Sequence, residues 1–320
     1  MMDLDVVIVN YKSAAYTVNC VRTVRRVANY DGVNAKIIVV NNGDDAKLDN
    51  EIMAAGEVTV INNTSNDGYG AACNRGTALG KSKCILFLNS DTTLKLGALK
   101  YALNTFANPN NKEIGIIGPA IVSEDGALTP SCSRLPNLVD LLLRTIGSHV
   151  IFKNTGYPFL SLAAHEKSCE VGQVMGAALF IRRDLFVALG GFDEKLFLYY
   201  EDVDLCARSK TLGSICYYLK DSQVSHIGRV SSSQDTGLSL ALHIHSRLIY
   251  AGIHFGRGSE LLLGIITVLF EFPIRLLRAS AMSGAMSPQS VLRAYRIFLT
   301  SVFSRKSRRA LANSRHNEAV

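Results

Sequence analysis

The first third of the chain alternates continuous apolar runs with helical stripes. Residues 5–9, DVVIV, form an apolar run of the length of a buried strand, and residues 10–15 supply a loop. In the following segment, YTVNCVRTVRRVANY, Val18, Val21, Val24 and Val27 recur at three-residue spacing, which predicts an amphipathic helix. KIIVV at 36–40 is a second buried strand, with NNGDD as its turn. Strand, helix, strand in that order predicts a parallel pair joined by a right-handed crossover. EVTVI at 57–61, a helix in NRGTALGKS after a glycine-spotted loop, and KCILFLN at 83–89 continue the series, and IGIIGP at 114–119 adds a further strand. Such a series builds an open α/β sheet whose ligand site lies beyond the carboxyl ends of its strands.

The later pattern is less regular. LVDLLLRTIGSHVIF reads as a helix packed on the body or an element touching a membrane, and KNTGYPFLSL reads as loop. A strand is expected over 174–181, a short helix ending near Gly190 and Gly191, a compact helix over 202–211 stopped by Gly213, and a strand at SICYYLK. A dense apolar stretch at 261–270 is broken by Glu271 and Pro273, and is shorter than the roughly 20 residues that span a bilayer. The expected division is a catalytic α/β domain at 1–255 followed by an amphipathic helical region at 256–320.

Charge sharpens that division. Residues 1–255 carry 24 Lys+Arg and 24 Asp+Glu, whereas residues 256–320 carry 10 and 3, so the whole net charge of +7 resides in the C-terminal region. Arg275, Arg278, Arg293, Arg296, Arg305, Lys306, Arg308 and Arg309 form its positive surface. A helix lying in an anionic membrane interface accounts for both the apolar stretch and the charge; packing in a homodimer is the competing account. Nucleic acid is not the expected partner, because no helix-turn-helix, zinc-finger or RNA-binding signature accompanies the basic residues. Seven scattered cysteines without a CxxC pair predict reduced interior thiols rather than a disulfide framework or thiolate zinc site. The chain opens almost directly on a strand, without the pattern of a cleavable leader.

Candidate chemistry gathers at strand ends. In ILFLNSDTTL an apolar strand ends at Asn89-Ser90-Asp91, which brings Asp91 to the functional edge of the sheet. A carboxylate there suits Mg²⁺ or Mn²⁺ bridging nucleotide phosphates, although SDTT also suits a turn leading into a helix near Leu96. NTSNDGYGAACNRG at 63–76 matches neither the dinucleotide fingerprint nor the P-loop. In LFLYYEDVDLCARSKTLG, Glu201, Asp202 and Asp204 follow an aromatic run at an expected helix start. Capping and the helix dipole explain one such carboxylate, and a base in a partly enclosed site explains another. His226 follows the last expected strand and suits either a metal or a loop hydrogen bond; His243, His245 and His254 read as helix packing.

In order, the blocks VVIVNYKS, IIVVNNG, NDGYGAACNRG, FLNSD, GGFDEKLFLYYEDVDLCARSKTLG and SHIG resemble the GT-A glycosyltransferases of family 2, most nearly the rhamnosyltransferase-like enzymes of bacterial surface polysaccharide synthesis. The resemblance covers about residues 5–230. It implies a mostly parallel central sheet flanked by helices and an inverting, metal-dependent transfer from a nucleotide sugar, with dTDP-L-rhamnose as donor and a lipid-linked saccharide as acceptor, at the cytoplasmic face of the inner membrane. A UDP-hexose or UDP-N-acetylhexosamine donor is the alternative; a nucleotidyltransferase or a noncatalytic nucleotide-sugar-binding protein is the more distant one. By the same resemblance Asp91 is the main metal ligand, beside Ser90, and His226 approaches the metal. Asp202 is the catalytic base with Glu201 as its flanking partner. Val9, Asn10, Tyr11, Asn41, Asn42 and Asp44 belong to nucleotide-binding loops, and Asp67 and Asn74 line the donor pocket. Asn41 stands where many relatives carry an acid.

Overall fold

The computed structural model describes residues 2–43, 45–52, 55–123, 125–147, 161–228, 235–281 and 286–303. Its strands are β1 (Met2–Asn10), β2 (Val33–Asn42), β3 (Thr59–Asn63), β4 (Cys84–Asn89), β5 (Thr92–Leu94), β6 (Ile114–Val122), β7 (Leu128–Thr129), β8 (Cys132–Ser133), β9 (Cys169–Val171), β10 (Gln173–Val174), β11 (Ala178–Arg182) and β12 (Ile215–His226). The main sheet runs β3-β2-β1-β4-β11-β6-β12-β5, with β7 on β6 and β9 on β12. β1 lies parallel to β2 and β4, β2 to β3, and β6 to β12. β11 enters antiparallel between β4 and β6.

The apolar runs are continuous because both faces of the sheet are covered. Val6, Ile8, Leu86 and Leu88 face one side with Val18, Val21 and Val24 of the helix Ala14–Asp31. The alternate residues Val7, Val9, Ile85 and Phe87 face the other, with Ala72 and Cys73 of the helix Tyr69–Thr77 and with Phe186, Phe192 and Leu205. The helix Ala14–Asp31 stops at Gly32, whose φ of 67° is one that glycine adopts without penalty. Its last residue, Asp31, caps a distant helix: its carboxylate accepts from the backbone N–H groups of Gly97, Leu99 and Lys100 at the start of Ala98–Ala107. All seven cysteines are free thiols.

Several boundaries differ from expectation for nonlocal reasons. The helix expected within NRGTALGKS begins at Tyr69, and at Gly70 a Cβ would lie 2.9 Å from Phe192 Cβ. The strand expected over 174–181 is two strands, β10 and β11, interrupted at 175–177. SDTT is a turn followed by β5, whose partner β12 extends through His226.

The chain forms two compact units. One comprises Met1–Leu135, Phe159–Glu194 and Glu201–Val230, and contains the sheet. The other comprises Pro136–Pro158, Lys195–Tyr200 and Ser231–Val320, so the expected boundary at 255/256 falls inside it. The second unit is helical: Leu138–Thr145, Thr236–Phe255, Arg257–Ile266, a π-helical turn Thr267–Glu271, Phe272–Ala281 and Pro288–Phe303. Among the described residues, no helix is long and apolar enough to cross a membrane. Arg305, Lys306, Arg308, Arg309 and most of KNTGYPFLSL lie outside the described residues.

Candidate active site

The parallel strands end in a row of asparagines held side by side by strand register: Asn10 opposite Asn41, Asn42 opposite Asn63, and Val9 opposite Asn89. Asn10 Nδ2 donates to Asn41 Oδ1 at 3.0 Å, and Thr17 and Ser13 donate to Asn10 Oδ1 at 2.7 and 3.1 Å. Asn41 is fully buried; it also accepts from the Asp45 backbone N–H and donates to the Asp45 carbonyl. Its amide therefore shapes the loop after β2. Asn42 Nδ2 donates to Asn66 Oδ1 at 2.8 Å, and Asn42 Oδ1 accepts from Asn63 and from the Asp67 backbone. Tyr11 is half-buried, its ring 3.1 Å from where a Cβ on Gly43 would sit. Asp44 lies outside the described residues.

Asp91 occupies the turn between β4 and β5 and is buried. Pairing of β12 with β5 sets His226 opposite Thr92, which brings His226 Nε2 to 3.1 Å from Asp91 Oδ1. Ser90 Oγ lies 2.9 Å from Ser13 Oγ, so the turn is also tied to the loop after β1.

The acidic helix Glu201–Thr211 gives its three carboxylates different surroundings. Asp204 is fully buried and paired with Arg208 at 2.7 Å; that guanidinium also donates to the carbonyls of Leu189 and Gly191. Asp202 accepts the Gly176 N–H on Oδ2 and the Val203 N–H on Oδ1, both at 2.8 Å. Burial raises the Asp202 carboxyl above its ordinary value against the pull of these N–H groups. Glu201 is buried, and its Oε2 has no hydrogen-bond partner among the described residues. Burial first, and then the neighbouring Asp202, push it up to about 8, so it holds its proton at neutral pH. The chain enters this helix through Tyr199 and Tyr200 at φ of 69° and 65°, a left-handed pair in residues that carry a Cβ. Such residues cost on the order of 1–3 kcal/mol each and cluster at functional sites.

A short segment links the two acids. Gly176 is bound at its N–H by Asp202 and at its carbonyl by the Tyr69 hydroxyl, and the next carbonyl, Ala177, accepts from the Asn89 N–H at 2.9 Å and from Thr92 Oγ1 at 3.3 Å. Asn89 and Thr92 flank Ser90 and Asp91. The interruption between β10 and β11 thus ties the base candidate to the metal-ligand candidate at one rim of the sheet. Gly176, Tyr69 and Ala177 escaped the sequence reading; the glycine inside an apolar run of GQVMGAALF was the available signal.

Asn74 and Asp67 hold loops in place. Asn74 clamps Phe192 from both sides, accepting its N–H at 2.9 Å and donating to its carbonyl at 3.0 Å. Asp67 pairs with Arg75 at 2.6 Å.

No group of three or more His, Cys, Asp or Glu side chains among the described residues is arranged to hold a metal ion. Asp91 and His226 are a pair, and one carboxylate oxygen with one imidazole nitrogen fits a divalent ion that takes its remaining ligands from phosphate oxygens and water.

The sequence pattern of the family "Glycosyltransferase like family 2" matches residues 3–247. The N-acetylglucosaminyl-diphospho-decaprenol L-rhamnosyltransferase of Mycobacterium tuberculosis (strain ATCC 25618 / H37Rv) is 28% identical over 67% of this chain and 73% of its own length. The dTDP-rhamnosyl transferase RfbF of Shigella flexneri is 21% identical over 68% of each chain. Among solved structures, the mannosyltransferase PcManGT of Pyrobaculum calidifontis, in complex with GDP-Man and Mn2+, superposes with a TM-score of 0.51 at 13% identity, covering 98% of this chain and 84% of that one. GalNAc-T7 with UDP, GalNAc and Mn2+ gives 0.52 at 18% identity over 71% of this chain and 43% of that one. The mixed sheet with its flanking helices is the GT-A fold, and the chain belongs to glycosyltransferase-like family 2 and is a glycosyltransferase.

Proposed function

We propose that the chain transfers L-rhamnose from dTDP-L-rhamnose, with inversion at the anomeric carbon, to a lipid-linked saccharide in the synthesis of O-antigen or another bacterial surface polysaccharide. The observation that carries the reading is the Gly176–Ala177 bridge between Asp202 and the strand end bearing Asp91. The donor and acceptor classes follow the mycobacterial and Shigella relatives, whose names specify rhamnosyl transfer and, for the first, a polyprenyl-diphosphate acceptor. An acceptor of that kind sets the reaction at the cytoplasmic face of the inner membrane, with the enzyme bound peripherally.

In this mechanism the nucleotide lies over the loops after β1 and β2, where the asparagine network fixes the backbone around Asn10, Tyr11 and Asn42. Asp91 and His226 would hold Mg²⁺ or Mn²⁺, which offsets the charge of the departing nucleoside diphosphate. Asp202 takes the proton of the acceptor hydroxyl as that oxygen bonds to the anomeric carbon from the face opposite the diphosphate. The bond from that carbon to the diphosphate oxygen breaks in the same displacement, so no sugar–enzyme bond forms. The N–H groups of Gly176 and Val203 fix the Asp202 carboxylate, and neutral Glu201 keeps a second negative charge away from it.

A donor panel of dTDP-L-rhamnose, UDP-hexoses and UDP-N-acetylhexosamines, offered with polyprenyl-diphosphate-linked N-acetylglucosamine, tests the reading by product mass and anomeric configuration. Net retention overturns the mechanism. Transfer from UDP-sugars alone overturns the donor assignment.

A further inference from the structure

The helical run at residues 257–281 is built inside out. Its inward face carries Leu263, then Thr267 and Glu271, all buried. Glu271 receives Arg247, itself buried, at 2.5 Å and Arg275 at 2.8 Å, while Arg247 also donates to Thr267 Oγ1 at 3.0 Å. Burial alone would raise the Glu271 carboxyl, and Arg247 followed by Arg275 carry it below its ordinary value, so the interior of this unit holds an ionised, paired carboxylate. The outward face is the apolar one. Leu261, Leu262, Ile265, Leu269, Phe270 and Leu277 are exposed, Leu261 and Leu277 by 67% and 70%. The four-residue spacing of Leu263, Thr267 and Glu271 sets them on one helix face, which leaves Leu269 and Phe270 pointing away from it.

A helix in water places these residues the other way round, and six exposed large apolar side chains on one helical run point to a surface that another apolar phase covers. The buried ion pair keeps the helix from rolling to hide its leucines, because rotation would strand Arg247 without Glu271. The charge around the face identifies that phase. Arg257, Arg278 and Arg296 are exposed, Arg293 is exposed but paired with Asp235 at 3.1 Å, and the acids at 256–303 are the buried Glu271 and the exposed Glu260. A second copy would set these arginines against each other, whereas anionic headgroups complement them.

We propose that this inverted face docks on an anionic lipid bilayer, lying in the interface with residues 261–277 against the acyl boundary and the arginines among the headgroups. The inference rests on the proposed function only for the presence of a lipid-borne acceptor nearby, and its test requires no turnover. The full chain is sedimented with vesicles of phosphatidylcholine, with and without phosphatidylglycerol, beside the variant Leu261→Gln/Leu269→Gln/Phe270→Gln, in which only exposed side chains change. The wild type is expected on the anionic vesicles, with about a tenfold or greater loss in the variant and an unchanged circular dichroism spectrum. A second variant, Arg278→Glu/Arg296→Glu, is expected to lose binding to anionic vesicles selectively. Absence of wild-type binding, equal binding by the apolar variant, or a lipid-free wild-type dimer that this variant converts to monomer overturns the proposal. Vesicle binding without glycosyl transfer from any donor would count against the proposed function and leave this surface standing.

Discussion

The Gly176 N–H donates to the Asp202 carboxylate at 2.8 Å, and a Cβ at residue 176 would lie 3.1 Å from both Cβ and Oδ2 of Asp202. The contact is tighter than most side-chain packing, so Gly176→Ala must move either the loop between β10 and β11 or the carboxylate itself. The backbone of Gly176 is not left-handed, so alanine adds no dihedral strain. The expected result is a folded enzyme whose kcat falls about tenfold to a hundredfold, the scale of a misplaced catalytic group, while donor affinity measured by calorimetry stays within about threefold. An unchanged kcat would dissociate this loop from catalysis.

Asp202 and Asp204 stand on one helix but should fail in different ways. Asp202→Asn keeps the shape and one acceptor oxygen, so it loses the basicity together with one of the two N–H bonds, from Gly176 or Val203; turnover should drop by about 10²–10⁴-fold, with a stability loss of only about 1 kcal/mol. Asp204→Ala instead leaves Arg208 without its buried partner and loosens the carbonyls of Leu189 and Gly191. Its expected effect is a loss of about 2–4 kcal/mol, toward the lower end because Arg208 keeps partial contact with solvent. Urea unfolding of both variants, set beside their steady-state rates, separates the roles.

The parts of the fold governed by local pattern were legible. β1, β2 and β4 announce themselves because both faces of the sheet are covered, which makes their apolar runs unbroken, and the helix Ala14–Asp31 because Val18, Val21 and Val24 form one stripe. Of the candidate site, the strand end at Asp91 and the helix start at Glu201 were legible as places in the fold. What remained hidden depends on distant partners. β5 exists because β12 lies beside it, and that pairing delivers His226 to Asp91. The role of Gly176 depends on a carboxylate twenty-six residues away. The bonds of the Asn41 amide to Asn10 and Asp45 also come from partners that its motif does not announce. The Asp204–Arg208 pair, at i and i+4, was within reach of sequence reasoning.

If Asp91 and His226 share a divalent ion with the diphosphate, their loss should be felt first in metal affinity. Titrating Mn²⁺ into enzyme and nucleoside diphosphate, followed by the paramagnetic resonance of free Mn²⁺, should show about a tenfold or greater weakening in Asp91→Asn. His226→Ala should weaken it less, because water can replace one imidazole in an otherwise oxygen-rich shell. Activity in Asp91→Asn should recover partly at high Mn²⁺. Equal Mn²⁺ affinity in all three proteins would remove the pair from the metal site.

Glu201 gives the protein a pH dependence of definite sign. In the unfolded chain its carboxyl titrates near the ordinary value of 4.5, whereas burial and the adjacent Asp202 push it up to about 8 in the fold. Between these values the native state holds a proton that the unfolded state has released, so stability must fall as pH rises from about 4.5 to about 8 and then level off. The raised Asp202 carboxyl adds a contribution of the same sign above its own ordinary value. Glu201→Gln removes the ionisation while keeping the shape, so the variant should gain on the wild type as pH rises. The gain should reach the order of a few kcal/mol by pH 8.5 and be small at pH 4.5. Urea midpoints measured for both proteins across that range decide the matter: parallel curves would mean that Glu201 is already ionised in the folded protein at neutral pH, and that its buried Oε2 has found a partner.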